Sequence, residues 1–325
     1  MKDVDNKKQE LEKKQFFLKV LLRKRESAIF LALIGIMFII AFFEPNFISG
    51  RNMFSVSRQI SFVAIVALGE LFVILTAGID LSVGSVIGLS GVITGYCMAA
   101  GINPIIAIFL GLLVGFCAGL LSGFVVSYLK ITPFIVTLGM LSICRGAIFV
   151  ITQGWPIAEI SEGFIKFGQG QIWIFPMPVI IMIICAVVCH IILRHTVFGR
   201  RIFAIGGNEE ATVLSGINVT KIKLIIYGIS GLLSSVTGLL LVARFSSSQS
   251  LAGDGWELDA IAATVIGGTS LMGGRGSVLG VLIGAAIMGV IRNGLVLLRV
   301  SSYWQQLIIG IIIILAALVD RLKNK

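Results

Sequence analysis

The chain has 325 residues, 57% of them hydrophobic and only 13% charged, with a mean hydropathy of +1.03 and a formal net charge of +10. This composition excludes a soluble domain and describes an integral membrane protein, in which excess Lys and Arg set topology and attract anionic head groups, so the charge requires no nucleic acid. The five cysteines, Cys97, Cys117, Cys144, Cys185 and Cys189, all lie in apolar runs. They act there as small hydrophobes and imply neither a disulfide framework nor a metal site.

Residues 1–26 form a polar tail with nine Lys or Arg against five Asp or Glu. No small-residue cleavage site follows a short apolar core, so the tail reads as a retained cytoplasmic segment and residues 27–325 as one transmembrane domain. Ten apolar runs follow in order: Ala28–Phe43, Ile60–Ile79, Val83–Ile102, Pro104–Leu129, Ile131–Ile151, Ile172–Leu193, Leu224–Ala243, Ala260–Gly274, Gly276–Leu298 and Tyr303–Val319. Most are near the ~20 residues that a helix needs to cross ~30 Å of hydrocarbon. Unpaired backbone groups are not tolerated in lipid, so the runs predict helices, and an all-α fold with about ten crossings. Ala28–Phe43 and Ala260–Gly274 are short enough to be tilted, partial or re-entrant.

With the N-terminus inside, the inner segments collect 19 of the 26 Lys and Arg: those of the tail, and Lys130, Arg194, Arg200, Arg201, Lys221, Lys223, Arg275, Arg321, Lys323 and Lys325. Basic residues favour the cytoplasmic side, so both termini are expected there. Arg51, Arg58 and Lys166 then fall outside and are outvoted. Of the two longest polar stretches between runs, Thr152–Gln171 is placed outside and His195–Lys223 inside.

Several polar residues fall at membrane depth. Glu70 is mid-way along the second run, Arg145 lies in the fifth, and Arg292 and Asn293 lie late in the ninth. Because a charge at the bilayer centre costs at least ~3 kcal/mol, each should face protein or water. Asp80, in "GIDLSVGS" (Gly78–Ser85), is read as the N-cap of the helix that follows. Glu70 has no cap to make, and is expected to face a polar cavity. His190 and His195 lack the carboxylate partners of a catalytic or metal site and read as interface residues. "GGTSLMGGRGS" (Gly267–Ser277) lacks the Gly-Lys-Ser/Thr ending of a phosphate-binding loop and fits a cytoplasmic hairpin. No catalytic constellation, metal site or cofactor site emerges, so a transport protein is expected rather than an enzyme.

Two internal patterns stand out. Gly111, Gly115, Gly119 and Gly123 recur every fourth residue, which lets another backbone approach one helix face. Asp80 and Asp259 each precede "VIG" by six residues, and Gly123 and Gly139 match Gly294 and Gly310 at a constant offset. The third to fifth runs then correspond to the eighth to tenth. A shift of five helices gives the copies opposite orientation, as in the inverted repeats of transporters.

The least explained segment is "GGNEEATVLSG" (Gly206–Gly216), a small polar helix between two membrane runs. A secondary transporter with Glu70 or Asp80 as a proton or sodium relay would account for the carboxylates but not for this helix. A permease driven by a separate ATPase would use it as a docking surface. "EATVLSG" (Glu210–Gly216) fits the Glu-Ala-Ala-x-x-x-Gly spacing by which importer permeases contact their ATPase, with Thr212 in place of the second alanine. Together with "GIDLSVGS", "FGRRIFAIGGNEEATVLSGINVTKIK", "ELDAIAATVIGGTSLMGGRGS" and "VSSYWQQLI", it makes the chain from about Asn52 to Asp320 resemble the ribose/monosaccharide-type ABC transporter permeases.

That resemblance implies a compact ten-helix permease of the type II-like importer class in a bacterial inner membrane, with its pathway along a subunit interface. It also implies a second permease subunit, a cytoplasmic sugar-type ATPase and an extracytoplasmic sugar-binding protein. The substrates of the resembled family include ribose, xylose, arabinose, galactose, allose and furanosyl signals. By the same resemblance Gly207, Asn208, Glu209, Glu210, Ala211 and Gly216 belong to the coupling helix. Glu70, Asp80 and Asn293 remain candidate polar groups of the pathway or its framework.

Overall fold

The computed structural model describes residues 25–323, so residues 1–24 of the expected tail lie outside the described residues. In chain order the helices are α1 (Arg25–Phe43), α2 (Gly50–Leu75), α3 (Val83–Ala99), α4 (Pro104–Ser127), α5 (Pro133–Thr152), α6 (Glu162–Gln169), α7 (Met177–His195), α8 (Val197–Gly207), α9 (Glu209–Leu214), α10 (Val219–Phe245), α11 (Trp256–Ile266), α12 (Val278–Leu297) and α13 (Ser302–Lys323). A 3-10 turn, Pro45–Ile48, links α1 to α2, and a two-residue antiparallel hairpin, Gln171–Ile172 with Phe175–Pro176, precedes α7.

Seven helices, α1, α2, α4, α5, α7, α10 and α12, are long and apolar enough to cross a membrane, and α3 and part of α13 are shorter apolar helices. With α11 they make the ten membrane helices of an all-α integral membrane protein. The exposed Ile105, Phe109, Ile135, Ile184 and Ile311 stand on α4, α5, α7 and α13, where lipid is a better solvent than water for them.

Local chemistry explains the boundaries. Pro104 and Pro133 open α4 and α5 at the position where a missing N–H costs nothing, and the Asn103 side chain caps α4 by accepting from the Ile105 N–H at 2.9 Å. α2 begins ten residues before the apolar run Ile60–Ile79, because Arg51, Asn52, Ser55, Ser57, Arg58 and Gln59 conceal its first turns. α10 likewise starts at Val219, capped by Asn218, rather than at Leu224.

The run Ala260–Gly274 behaves differently. Helix α11 covers only Trp256–Ile266, ~16 Å at 1.5 Å per residue, and so cannot span the hydrocarbon. The remaining depth is covered by non-helical chain, residues 246–255. This segment descends beside α3: Ser248 Oγ donates to the Gly91 carbonyl at 2.8 Å, the Ala252 carbonyl lies beside Gly88, and Gly253 lies beside Gly84. The glycines of α3 leave the room for it. Its carbonyls are satisfied by protein, Ser250 and Ala252 accepting from Arg145 Nη1 at 3.0 and 3.2 Å. Irregular backbone is tolerated at depth on that condition.

Residues 76–82 form the corresponding re-entrant segment on the opposite side, reversing at Ala77 (φ 59°) before α3 begins. Helices α3 and α11 therefore start beside each other inside the bundle and run to opposite faces. The packing follows the expected repeat: α3 packs on α4 and α5, and α11 packs on α12 and α13. The leading helices are exchanged between the halves. α2 lies against α11 and α12, whereas α10 lies against α3 and α4, and α2 and α10 pack together at the centre. Along α4, Gly115 and Gly119 meet the α10 backbone at Gly231 and Tyr227, so the four-residue glycine spacing serves close helix contact.

Candidate functional site

Helix α9 packs against α8 and the first turns of α10, and short-range chemistry closes both its ends. Asn208 caps it, its Oδ1 accepting from the Ala211 N–H at 2.9 Å while its carbonyl accepts from Thr212 Oγ1 at 2.7 Å. At the other end Gly216, at φ 78°, closes a Schellman turn: its N–H donates to the Val213 carbonyl and that of Ile217 to Thr212. Thr212 is the buried residue of α9; Glu209, Glu210, Ala211, Val213 and Leu214 are exposed, Leu214 at 88%. This six-residue helix therefore presents apolar tips and a carboxylate to solvent.

The paired glutamates are not equivalent. Glu209 is engaged within the chain, its Oε2 2.7 Å from Lys223 Nζ in the first turns of α10, which fixes α9 against that helix. Glu210 has no such anchor and points its charge outward. Negative charge in a first helical turn is favoured for both.

The adjacent glycines Gly206 and Gly207 are not equivalent either. Gly207 has open space around its Cα and no left-handed backbone, so no sharp turn depends on it. The indispensable glycine is its neighbour Gly206, at the end of α8. A Cβ there would strike the Leu75 carbonyl and the Gly274 N–H, which are hydrogen-bonded to each other at 2.9 Å. Three segments thus meet backbone to backbone: the end of α8, the end of α2 before the 76–82 hairpin, and the Gly267–Ser277 hairpin between α11 and α12. Sequence reasoning passed over Gly206, because a contact between residues some 70 and 130 positions distant leaves no local signal.

The buried carboxylates meet at the 76–82 hairpin, Glu70 on the last turns of α2 and Asp80 in the hairpin itself. Glu70 is 0% and Asp80 1% exposed. Glu70 Oε1 accepts from the Asp80 N–H at 3.1 Å, so Glu70 faces the returning chain and is enclosed by it. Asp80 Oδ1 accepts from the Ser82 N–H at 3.0 Å and Ser82 Oγ at 2.6 Å, and Oδ2 accepts from Ser230 Oγ of α10 at 2.8 Å. Asp80 is therefore not the N-cap of α3, a position held by Ser82; it braces the hairpin and ties it to α10.

Asn293 makes a reciprocal amide pair with Asn52, both bonds 2.9 Å, joining α12 to the first turn of α2. Arg292 forms an ion pair of 2.6 Å with Asp259 in the first turn of α11. Among the described residues no group of three or more His, Cys, Asp and Glu could hold a metal ion.

Sequence comparison places this architecture. The family model described as branched-chain amino acid transport system / permease component matches residues 52–317. The chain belongs to this permease family. It is 43% identical over 297 residues to the ribose import permease protein RbsC of Bacillus subtilis (strain 168), covering 91% of this chain and 92% of the relative. With the ribose import permease protein RbsC of Escherichia coli (strain K12) the identity is 44% over 315 residues, 96% and 98% of the two chains. The D-allose transport system permease protein AlsC of Escherichia coli (strain K12) is 39% identical over 280 residues, 86% of each chain. No solved structure matches the chain.

Proposed function

We propose that this permease is the membrane-spanning subunit of an ATP-driven importer that moves a monosaccharide of the ribose type into the cytoplasm. Its partners are a cytoplasmic sugar-type ATPase, a sugar-binding protein on the outer face and a second permease subunit. The orientation follows the basic residues, with both termini and α9 inside a bacterial inner membrane.

The observation that carries this reading is the exposed, doubly capped α9 joined to α8, whose last turn abuts α2 and the α11–α12 hairpin at Gly206. ATP-driven closure of a partner ATPase would displace α9 as a rigid body, and α8 would pass the displacement to Leu75 and Gly274. The 76–82 hairpin, held to α10 through Asp80 and Ser230, and α11 would move with them. Motion at one face of the membrane would reach two segments that begin at its centre. Small displacements are amplified in this way where packed elements have two arrangements.

The test is co-purification and uptake with Glu210→Lys and Leu214→Asp combined. Both side chains are exposed, so membrane insertion and thermal stability should stay unchanged, whereas recovery of the ATPase and ATP-dependent sugar uptake should fall at least tenfold. Normal recovery and uptake would remove the docking role. One observation favours the ion-coupled alternative: Glu70 Oε2 is buried without a hydrogen-bond partner. Gradient-driven uptake without ATP, lost in Glu70→Gln, would establish it.

A further inference from the structure

The segment 246–255 leaves charged groups where lipid cannot receive them. Between Ser248, beside Gly95, and Gly253, beside Gly84, the chain runs along twelve residues of α3, a descent of ~17 Å. Asp254 follows directly and is 71% exposed in its side chain, although it sits beyond the bottom of that descent. An exposed carboxylate at such depth requires water or a polar partner. Arg145 of α5 is anchored by the Ser250 and Ala252 carbonyls, and its Nη2 lies 3.5 Å from Asp254 Oδ1.

The same turn begins α11. Trp256 is half-buried with its ring 6.4 Å from that of Phe62, and the Arg244 guanidinium lies over the Phe62 ring, 5.4 Å from its centroid. Glu257 is half-buried, its carboxylate packed beside Gly84 at the start of α3. Two carboxylates and an indole thus share one turn at the junction of two helix starts, with the fixed Arg145 guanidinium of α5 beside Asp254.

We propose that Asp254, Arg145, Glu257 and Trp256 form a water-facing wall of the translocation pathway and contact the passing sugar. The chemistry suits a neutral polyol. Carboxylates accept from neighbouring hydroxyls, the guanidinium donates to ring or hydroxyl oxygens, and an indole face covers the apolar C–H side of the ring. The wall sits on the irregular segment that must shift when α11 moves, so hold and release of sugar would follow the coupling motion. Contact would be weak by design, since a transport path that binds tightly cannot release.

This inference rests on the sugar-import reading, and the experiment separates the two. The complete transporter, with ATPase and binding protein, is placed in lipid nanodiscs after the five native cysteines are replaced, and carries Asp254→Cys, or Ile184→Cys on the exposed apolar face of α7. A charged methanethiosulfonate should label the first at least tenfold faster than the second. In proteoliposomes, Asp254→Asn and Glu257→Gln should each lower ATP-dependent uptake of D-ribose, D-allose or L-arabinose, whichever the wild type carries, at least fivefold. Recovery of the assembled subunits should stay within twofold. Labelling of Asp254→Cys no faster than Ile184→Cys overturns the wall whatever is transported. Fast labelling with both amide variants within twofold of wild-type uptake overturns the sugar contact. Wild-type uptake of none of the three sugars defeats the functional reading instead, and the sugar contact with it, a result that the labelling does not depend on.

Discussion

The Gly206 junction permits a matched test of how motion leaves α9. In Gly206→Ala the added methyl meets the Leu75 carbonyl and the Gly274 N–H and must part a hydrogen bond of 2.9 Å. Forcing a methyl into a closed contact costs ~1–3 kcal/mol, and an orphaned buried N–H a further ~1–3 kcal/mol. Alanine returns up to ~1 kcal/mol through its better helix propensity. The net penalty of ~1–5 kcal/mol falls on the arrangement in which α8, α2 and the α11–α12 hairpin move together. At ~1.4 kcal/mol per decade, a mid-range ~3 kcal/mol is a loss of about a hundredfold in its population. Gly207→Ala places the same methyl one residue on, in open space, and should change nothing or tighten α8 slightly. The assay is sugar uptake per ATP hydrolysed in proteoliposomes containing the full transporter. Gly206→Ala should retain its ATPase and hydrolyse ATP while uptake per ATP drops at least tenfold; Gly207→Ala should match wild type. Equal ratios for the two variants would refute the junction as the route of coupling.

Glu70→Gln and Asp80→Asn should keep at least a third of ATP-dependent uptake, because the amide oxygen of the first can still accept the Asp80 N–H, that of the second can still accept from Ser82 while its NH2 donates to a turned Ser230 hydroxyl, and an uptake driven by ATP needs no proton relay; complete loss in both, measured with ATPase activity intact, would contradict this. Arg292→Met leaves the 3%-exposed Asp259 carboxylate without its partner and should cost ~3 kcal/mol, seen as a lower Tm in detergent, with recovery when Asp259→Leu is added. Persistence of the Tm loss in the double variant would show that the ion pair is not its cause. A cysteine placed at Glu162 should be modified by an impermeant reagent from outside intact cells and one at Ser215 should not; labelling of both from the same side would break the assigned topology.

Composition and periodicity alone carried the membrane class and most helix positions, because burial in lipid writes itself into long runs of one polarity. The capped ends of α9 were legible in the same way, since Asn208 and Gly216 act on neighbours within four residues. The repeat was legible from Asp80 and Asp259 with their following "VIG", although the two aspartates end in different roles. What lay beyond the sequence was whatever depends on distant segments meeting. The polar first turns of α2 are ordinary inside a bundle where Asn52 finds Asn293, yet by hydropathy they read as a loop. The run Ala260–Gly274 was short enough to be tilted, partial or re-entrant, but hydropathy cannot register that Gly84, Gly88, Gly91 and Gly95 leave room for extended chain whose Ser250 and Ala252 carbonyls accept from Arg145. Gly206 looked no different from Gly207. Only the tertiary structure separates them, because the need for a missing side chain is set by what stands opposite, here the backbone of Leu75 and Gly274.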